Sequence, residues 1–232
     1  MRMRKRKNLA PRMEACSAYM EANPQDWKGR WHQRFGREGD IQLEIGCGKG
    51  AFVTKMAQQH PDRLFVAVER VESVLVLAME KAKALELPNV IFLSANADCL
   101  ADVFAPEEVA RIYLNFSDPW PHSKQKKRRL THANFLRVYQ QFLQEDGEIC
   151  FKTDNRGLFE DSLCYFSQFG YGLYDVTFDL HSTDTPNVMT EYETNFSLQG
   201  MPIYRLVARR MFPDTPMTDV RKVGMLEETD AE

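Results

Sequence analysis

The stretch LEIGCGKGAF, Leu43 to Phe52, sets an apolar run against Gly46, Gly48 and Gly50 and then resumes with apolar residues. It reads as a strand, a tight glycine turn and a helix, the arrangement in which backbone N–H groups at a helix N-terminus approach a ligand closely. Four further runs rich in β-branched and aromatic residues follow: LFVAVE from Leu64, VIFLSA from Val90, RIYLNF from Arg111 and EICFKT from Glu148. Between them, residues such as Val74, Leu75, Ala78, Ala82 and Leu85 recur at three-to-four spacing, as on the buried face of a helix. Strand and helix in alternation predict an α/β, Rossmann-like, doubly wound sheet with helices on both faces.

After Phe169 the pattern changes to YGLYDVTFDL, a polar stretch, TEYETNFSLQG and IYRLVARRMF. Two closing strands around a short helix bring the sheet to about seven strands, mostly parallel with an antiparallel closing strand. Residues 1–40 are expected to form a basic arm and a helix packed on the domain, with Trp27, Trp31 and Phe35 in the core; 41–213 form the domain, and 214–232 an acidic tail. A chain of 232 residues suits this single-domain plan.

Composition removes several classes. No apolar run approaches the roughly 20 residues that cross a bilayer, and MRMRKRKNLAPRM lacks the apolar segment of a secretory signal. A cytoplasmic protein without a membrane partner is expected. Cys16, Cys47, Cys99, Cys150 and Cys164 are scattered without C-x-x-C spacing, so neither a disulfide framework nor a metal site is expected. The net charge of −3 hides two basic clusters, Arg2 to Lys7 and Lys124 to Arg129.

The glycines alone do not choose a ligand, and with Ala51 the spacing also satisfies G-x-G-x-x-A, a dinucleotide pattern. Glu44 tilts the choice. A carboxylate beside the first glycine repels a pyrophosphate but suits a ligand carrying an ammonium and a sulfonium, as S-adenosylmethionine does. Glu69 ends the second strand where an acid grips ribose hydroxyls, and Asn96 or Asp98 after the third is placed for an adenine amino group.

The fourth strand ends in SDPWPHSKQKKRR. Pro119 and Pro121 restrict the loop and so aim Asp118 and Trp120, in a crevice shared with the ligand or as an Asp-Pro turn with the tryptophan as a core plug. The run KQKKRR is expected to open a helix whose apolar face includes Leu130, Phe135 and Leu136. Cations at a helix N-terminus oppose its dipole, so their placement points to phosphate binding rather than to stability.

LEIGCGKG, VAVE, FSDPWP with KKRRL, FKTDN and TEYE together resemble the bacterial tRNA (guanine-N7-)-methyltransferases over nearly the whole chain. The resemblance implies methyl transfer from S-adenosylmethionine to N7 of a guanine in the tRNA variable loop, by a monomer or homodimer. It implies cofactor contacts from Glu44, Gly46, Gly48, Glu69 and Asn96, with Asp118 as the site acid. Substrate contacts fall to His122, Asp154, Thr190, Glu191, Tyr192 and Glu193, and RNA contacts to Lys124, Lys126, Lys127, Arg128 and Arg129. The family often has lysine at His122 and aspartate at Asn96. By the residues alone, Thr190 with Glu191 or Glu193 reads equally as a helix N-terminus. Rival readings are a methyltransferase acting on an exocyclic amine, since SDPW approaches a (D/N)-P-P-(Y/F) motif, an NAD-dependent oxidoreductase, and a non-catalytic RNA-binding relative.

Overall fold

The computed structural model describes residues 8–197 and 199–210. The basic cluster at Arg2 to Lys7 and the expected acidic tail at 214–232 lie outside them. In chain order the elements are α1 (Leu9–Ala15), α2 (Trp31–Phe35), β1 (Ile41–Ile45), α3 (Ala51–Gln59), β2 (Leu64–Val68), α4 (Glu72–Ala84), β3 (Val90–Leu93) and α5 (Leu100–Val103). They continue with β4 (Val109–Asn115), α6 (Ala133–Tyr139), β5 (Leu143–Thr153), α7 (Arg156–Gln168), β6 (Tyr171–Thr177), α8 (Glu191–Ser197) and β7 (Tyr204–Arg210). No helix among the described residues is long and apolar enough to cross a membrane.

One seven-stranded sheet runs in the order β3-β2-β1-β4-β5-β7-β6. Parallel pairing joins β3, β2, β1, β4 and β5, while β7 is antiparallel to both β5 and β6. The expected antiparallel closing strand is therefore β7, inserted between β5 and the edge strand β6. The order reverses between β1 and β4, and in open α/β sheets ligands bind outside the carboxyl ends of the strands at that point.

Because side chains alternate across a strand, each strand feeds two cores. Leu43, Val66, Ile112, Ile149 and Phe151 face one layer with α2, α5, α6 and α7. Phe65, Ala67 and Tyr113 face the other, with α1, α3 and α4. The same alternation sends Glu44, Asn115 and Lys152 to the α3 side of β1, β4 and β5, all three buried there. Gly50, at φ 77, has Ala78 of α4 within 2.5 Å of where a Cβ would stand, so the glycine lets α3 and α4 pack together.

Two local expectations change. Trp27, Trp31 and Phe35 do not share a helix: Trp27 ends a 3₁₀ turn, Pro24–Trp27, and Gly29 at φ 75 separates it from α2. Trp31 is in the core, fully buried with its indole N–H donating to the Val103 carbonyl, while Trp27 and Phe35 are half-buried against it. The basic run forms its own 3₁₀ turn, Ser123–Arg128, and α6 begins only at Ala133. Arg129 is extended between them, so the helix-dipole argument for the cations does not apply.

Candidate active site

Two adjoining cavities open at the carboxyl ends of β1, β2, β3 and β4. The first, about 500 Å³, is lined by Glu69, Asn96, Asp98, Asp118, Trp120, Leu130 and Phe135 among others. The second, about 330 Å³, is lined by Glu44, Gly48, Lys49, Phe52, Thr190, Glu191 and Tyr192 among others. Gly46, Asn115 and Phe116 border both. The segment from Asn115 to Asp118 thus passes the junction of the two spaces.

Glu44 is 2% exposed, and its Oε1 accepts a hydrogen bond from Asn115 Nδ2 at 3.0 Å. Its Oε2 is buried without a hydrogen-bond partner among the described residues. Burial lifts the carboxyl to about 7; the Asn115 hydrogen bond, the Lys152 charge and the nearby Val53 N–H, which closes no hydrogen bond to it, pull it back, while Glu69 adds to the rise. A buried acceptor left open beside a cavity is a place for a cationic ligand group, because an unpaired buried polar atom costs about 1–3 kcal/mol.

The glycine loop spends its own donors. Gly46 N–H and Cys47 N–H both donate to the Val68 carbonyl, Gly48 N–H to Glu69 Oε2, and Gly50 N–H to the Cys47 carbonyl. These four donors are occupied within the loop, but the first turn of α3 has no side-chain cap, so what disfavours a pyrophosphate here is the charge of Glu44 and Glu69 rather than a lack of donors. Glu69 also accepts from Val71 N–H and stands at the wall of the first cavity with Asn96 and Asp98. The carboxylate and amide set suits a ribose and an adenine edge, and Leu130 and Phe135 supply apolar walls.

Asp118 lies on the rim, its side chain 67% exposed, with a carboxylate oxygen 3.8 Å from the guanidinium of Arg70. Phe116 and Trp120 on either side of it have φ of 52 and 39, left-handed values that bulky residues rarely adopt. Each such residue costs on the order of 1–3 kcal/mol and persists only where surroundings enforce it. Here the prolines and the buried Arg129, whose Nε donates to the Pro119 carbonyl at 2.7 Å, hold the loop.

The residues of TEYE divide. Thr190 Oγ accepts from Glu193 N–H at 2.9 Å and Glu193 Oε2 accepts from Thr190 N–H at 3.3 Å, a capping box at the start of α8. Glu193 is fully buried and lines neither cavity, which corrects the expectation that it touches substrate: its carboxylate is spent on the helix cap and on Lys152. Glu191 bridges Lys49 of the glycine loop and Lys81 of α4, while Tyr192 is exposed, packs its ring against Phe116 and Phe196, and donates to Asp154 Oδ2 at 3.2 Å. Asp154 lines neither cavity and meets a lining residue through that contact.

The basic turn divides as well. Arg129 is buried against Asp161, and Lys126 pairs with the same carboxylate at 2.7 Å. Lys124 and Lys127 are exposed, and the exposed Arg128 lies over the Trp120 ring at 5.0 Å. Arg129 is thus a strut of the loop rather than a surface cation. His122 is exposed and lines neither cavity. Sequence reasoning passed over Asn115, Phe116 and Lys152. Asn115 and Lys152 had a signal, a polar residue at an inward position of an otherwise apolar strand, NF after RIYL and KT after EICF.

A parallel sheet extended by an antiparallel β7, with acids at the carboxyl ends of its strands, is the arrangement of a class of methyltransferases, and the comparisons place the chain among them. A family model described as "Putative methyltransferase" matches residues 38–206. The tRNA (guanine-N(7)-)-methyltransferase of Halalkalibacterium halodurans is 51% identical over 187 residues, covering 80% of this chain and 85% of that protein. That of Bacillus licheniformis is 49% identical over 209 residues, covering 90% and 98%. The chain belongs to the tRNA (guanine-N7-)-methyltransferase family. In fold it is similar to an antibiotic-related methyltransferase (TM-score 0.59, 16% identity, covering 79% of this chain and 92% of that one) and to the 16S rRNA methyltransferase KamB (TM-score 0.59, 17% identity, covering 77% and 91%).

Proposed function

We propose that this enzyme methylates N7 of a guanine in the variable loop of tRNA, with S-adenosylmethionine as donor. The observation that carries the reading is the unpartnered buried oxygen of Glu44 beside a cavity that shares Gly46, Asn115 and Phe116 with the one lined by Asp118. Glu44 would hold the donor's ammonium, Glu69 its ribose hydroxyls, and Asn96 its adenine, between Leu130 and Phe135.

Guanine N7 attacks the donor's sulfonium methyl with its own lone pair as the S–C bond breaks, its electron pair staying on sulfur to leave S-adenosylhomocysteine. N7 carries no proton, so the chain need not provide a base to create the nucleophile. The ring becomes cationic as the bond forms. Asp118 serves that charge electrostatically, or fixes the guanine by its N1–H and amino group, and the strained loop sets its direction in advance. Tyr192 and Phe116 offer aromatic faces for a base taken out of its stack. Lys124 and Lys127 are exposed for phosphates, and Arg128, also exposed, lies over Trp120 at the wall of the first cavity.

Unmodified bulk tRNA incubated with labelled S-adenosylmethionine and then digested should yield labelled 7-methylguanosine; label in another nucleoside defeats the assignment. Asp118→Ala should lower turnover by about 100-fold or more while S-adenosylhomocysteine still binds by calorimetry. Wild-type-like turnover in that variant removes the role.

A further inference from the structure

Within α8 the buried residue is an acid, Glu193, rather than an apolar side chain, so the helix is fastened to the fold by polar contacts. Its partner is Lys152, 5% exposed, the second-to-last residue of β5. Lys152 Nζ donates to Glu193 Oε2 at 2.7 Å, Asn187 Oδ1 at 2.9 Å and the Val188 carbonyl at 3.0 Å. Glu193 Oε1 accepts from Asn187 Nδ2 at 2.5 Å and lies 3.3 Å from His181 Nε2. One ammonium therefore gathers Asn187, Val188 and Glu193 onto the end of a central strand. It also lies 5.4 Å from the Phe52 ring and 6.0 Å from the Phe116 ring, both of which line the second cavity.

We propose that Lys152 is a positioning residue for the methyl transfer: its buried ammonium fixes the 187–193 segment, and with it Thr190 and Tyr192, over the second cavity. The inference rests on the reading of that cavity as part of the catalytic site. The fold does not need a cation here for its own sake, since a buried ion pair is weak support for stability and an apolar pair of similar volume often serves as well. What a charged, multiply hydrogen-bonded anchor adds is a single geometry, because each of its donors must meet its acceptor. Burial lowers the Lys152 pKa and Glu193 and Glu44 raise it, so the carboxylates oppose the loss of its charge.

Lys152→Met and Lys152→Arg in the full chain test the role. In Lys152→Met, backbone amides of residues 187–195 should exchange with deuterium about tenfold faster, while those of β1 and β2 keep wild-type protection. With tRNA as substrate, kcat/KM should fall by about 100-fold, with part of the loss in KM for tRNA. Lys152→Arg, which keeps the charge, should recover part of both. A uniform rise in exchange across the sheet, with activity lost in proportion to global unfolding, overturns the proposal in favour of simple stability, and so do unchanged exchange or unchanged kinetics. If the wild-type protein makes no 7-methylguanosine while the segment still loosens in Lys152→Met, the reading of the site fails and the anchor stands.

Discussion

Glu44 shows how one residue can carry a test of the whole site. Its carboxyl is raised from 4.5 to about 7, by burial above all. A raised acid contributes its stability to the free protein below the unfolded value, and that contribution is lost as pH climbs through the folded one. The same climb makes the carboxylate that a donor ammonium needs. Between about pH 6 and pH 8, S-adenosylhomocysteine should therefore bind more tightly to the wild type as the free protein grows less stable, the two trends opposed by linkage. In Glu44→Gln both trends should flatten and affinity should be weaker throughout, read by calorimetry and urea unfolding. Affinity that is independent of pH in the wild type would place the ammonium elsewhere.

At the scale of elements, the strands were legible because their apolar runs are long and bounded by turn residues, and the glycine loop because few other residues accept its left-handed φ values. The 3₁₀ turn at Ser123–Arg128 was not. Five cations around one glutamine carry no hydrophobic period, and the distinction between Lys127 on the surface and Arg129 inside depends on Asp161, far along the chain on α7. Likewise Thr190 and Glu193 read as a helix cap or as ligand contacts, and the structure makes the first of these visible. Arg129→Ala should cost about 2 kcal/mol of stability, seen as a lower urea midpoint, because it strips Pro119 and Asp161 of a buried partner. The salt dependence of tRNA binding should hardly move. A normal midpoint with a shallower salt slope would return Arg129 to the RNA surface.

For the whole molecule, the order β3-β2-β1-β4-β5-β7-β6 could be anticipated only in outline, since nothing local in IYRLVARRMF says that it inserts between β5 and β6. That insertion matters for function. It places β7 beside β5, so the chain between β6 and β7, including the 187–193 segment, returns across the carboxyl ends of the strands where the cavities open. The exposed turn of Lys124, Lys127 and Arg128 stands on the neighbouring loop after β4. A chain of net charge −3 thereby carries a local positive surface next to the Asp118 loop, and on the proposed reading tRNA binding should be governed by that surface rather than by the net value. Replacing all three of these cations by alanine should reduce the slope of log affinity against log salt by about 2–3, at roughly 0.7–0.9 per phosphate contact. Turnover at saturating tRNA should persist in Lys124→Ala and Lys127→Ala, which line neither cavity, whereas loss of Arg128, over the Trp120 ring at the wall of the first cavity, should lower it as well. An unchanged slope would move the RNA path off this turn, leaving the strained loop to act on a guanine delivered from another side.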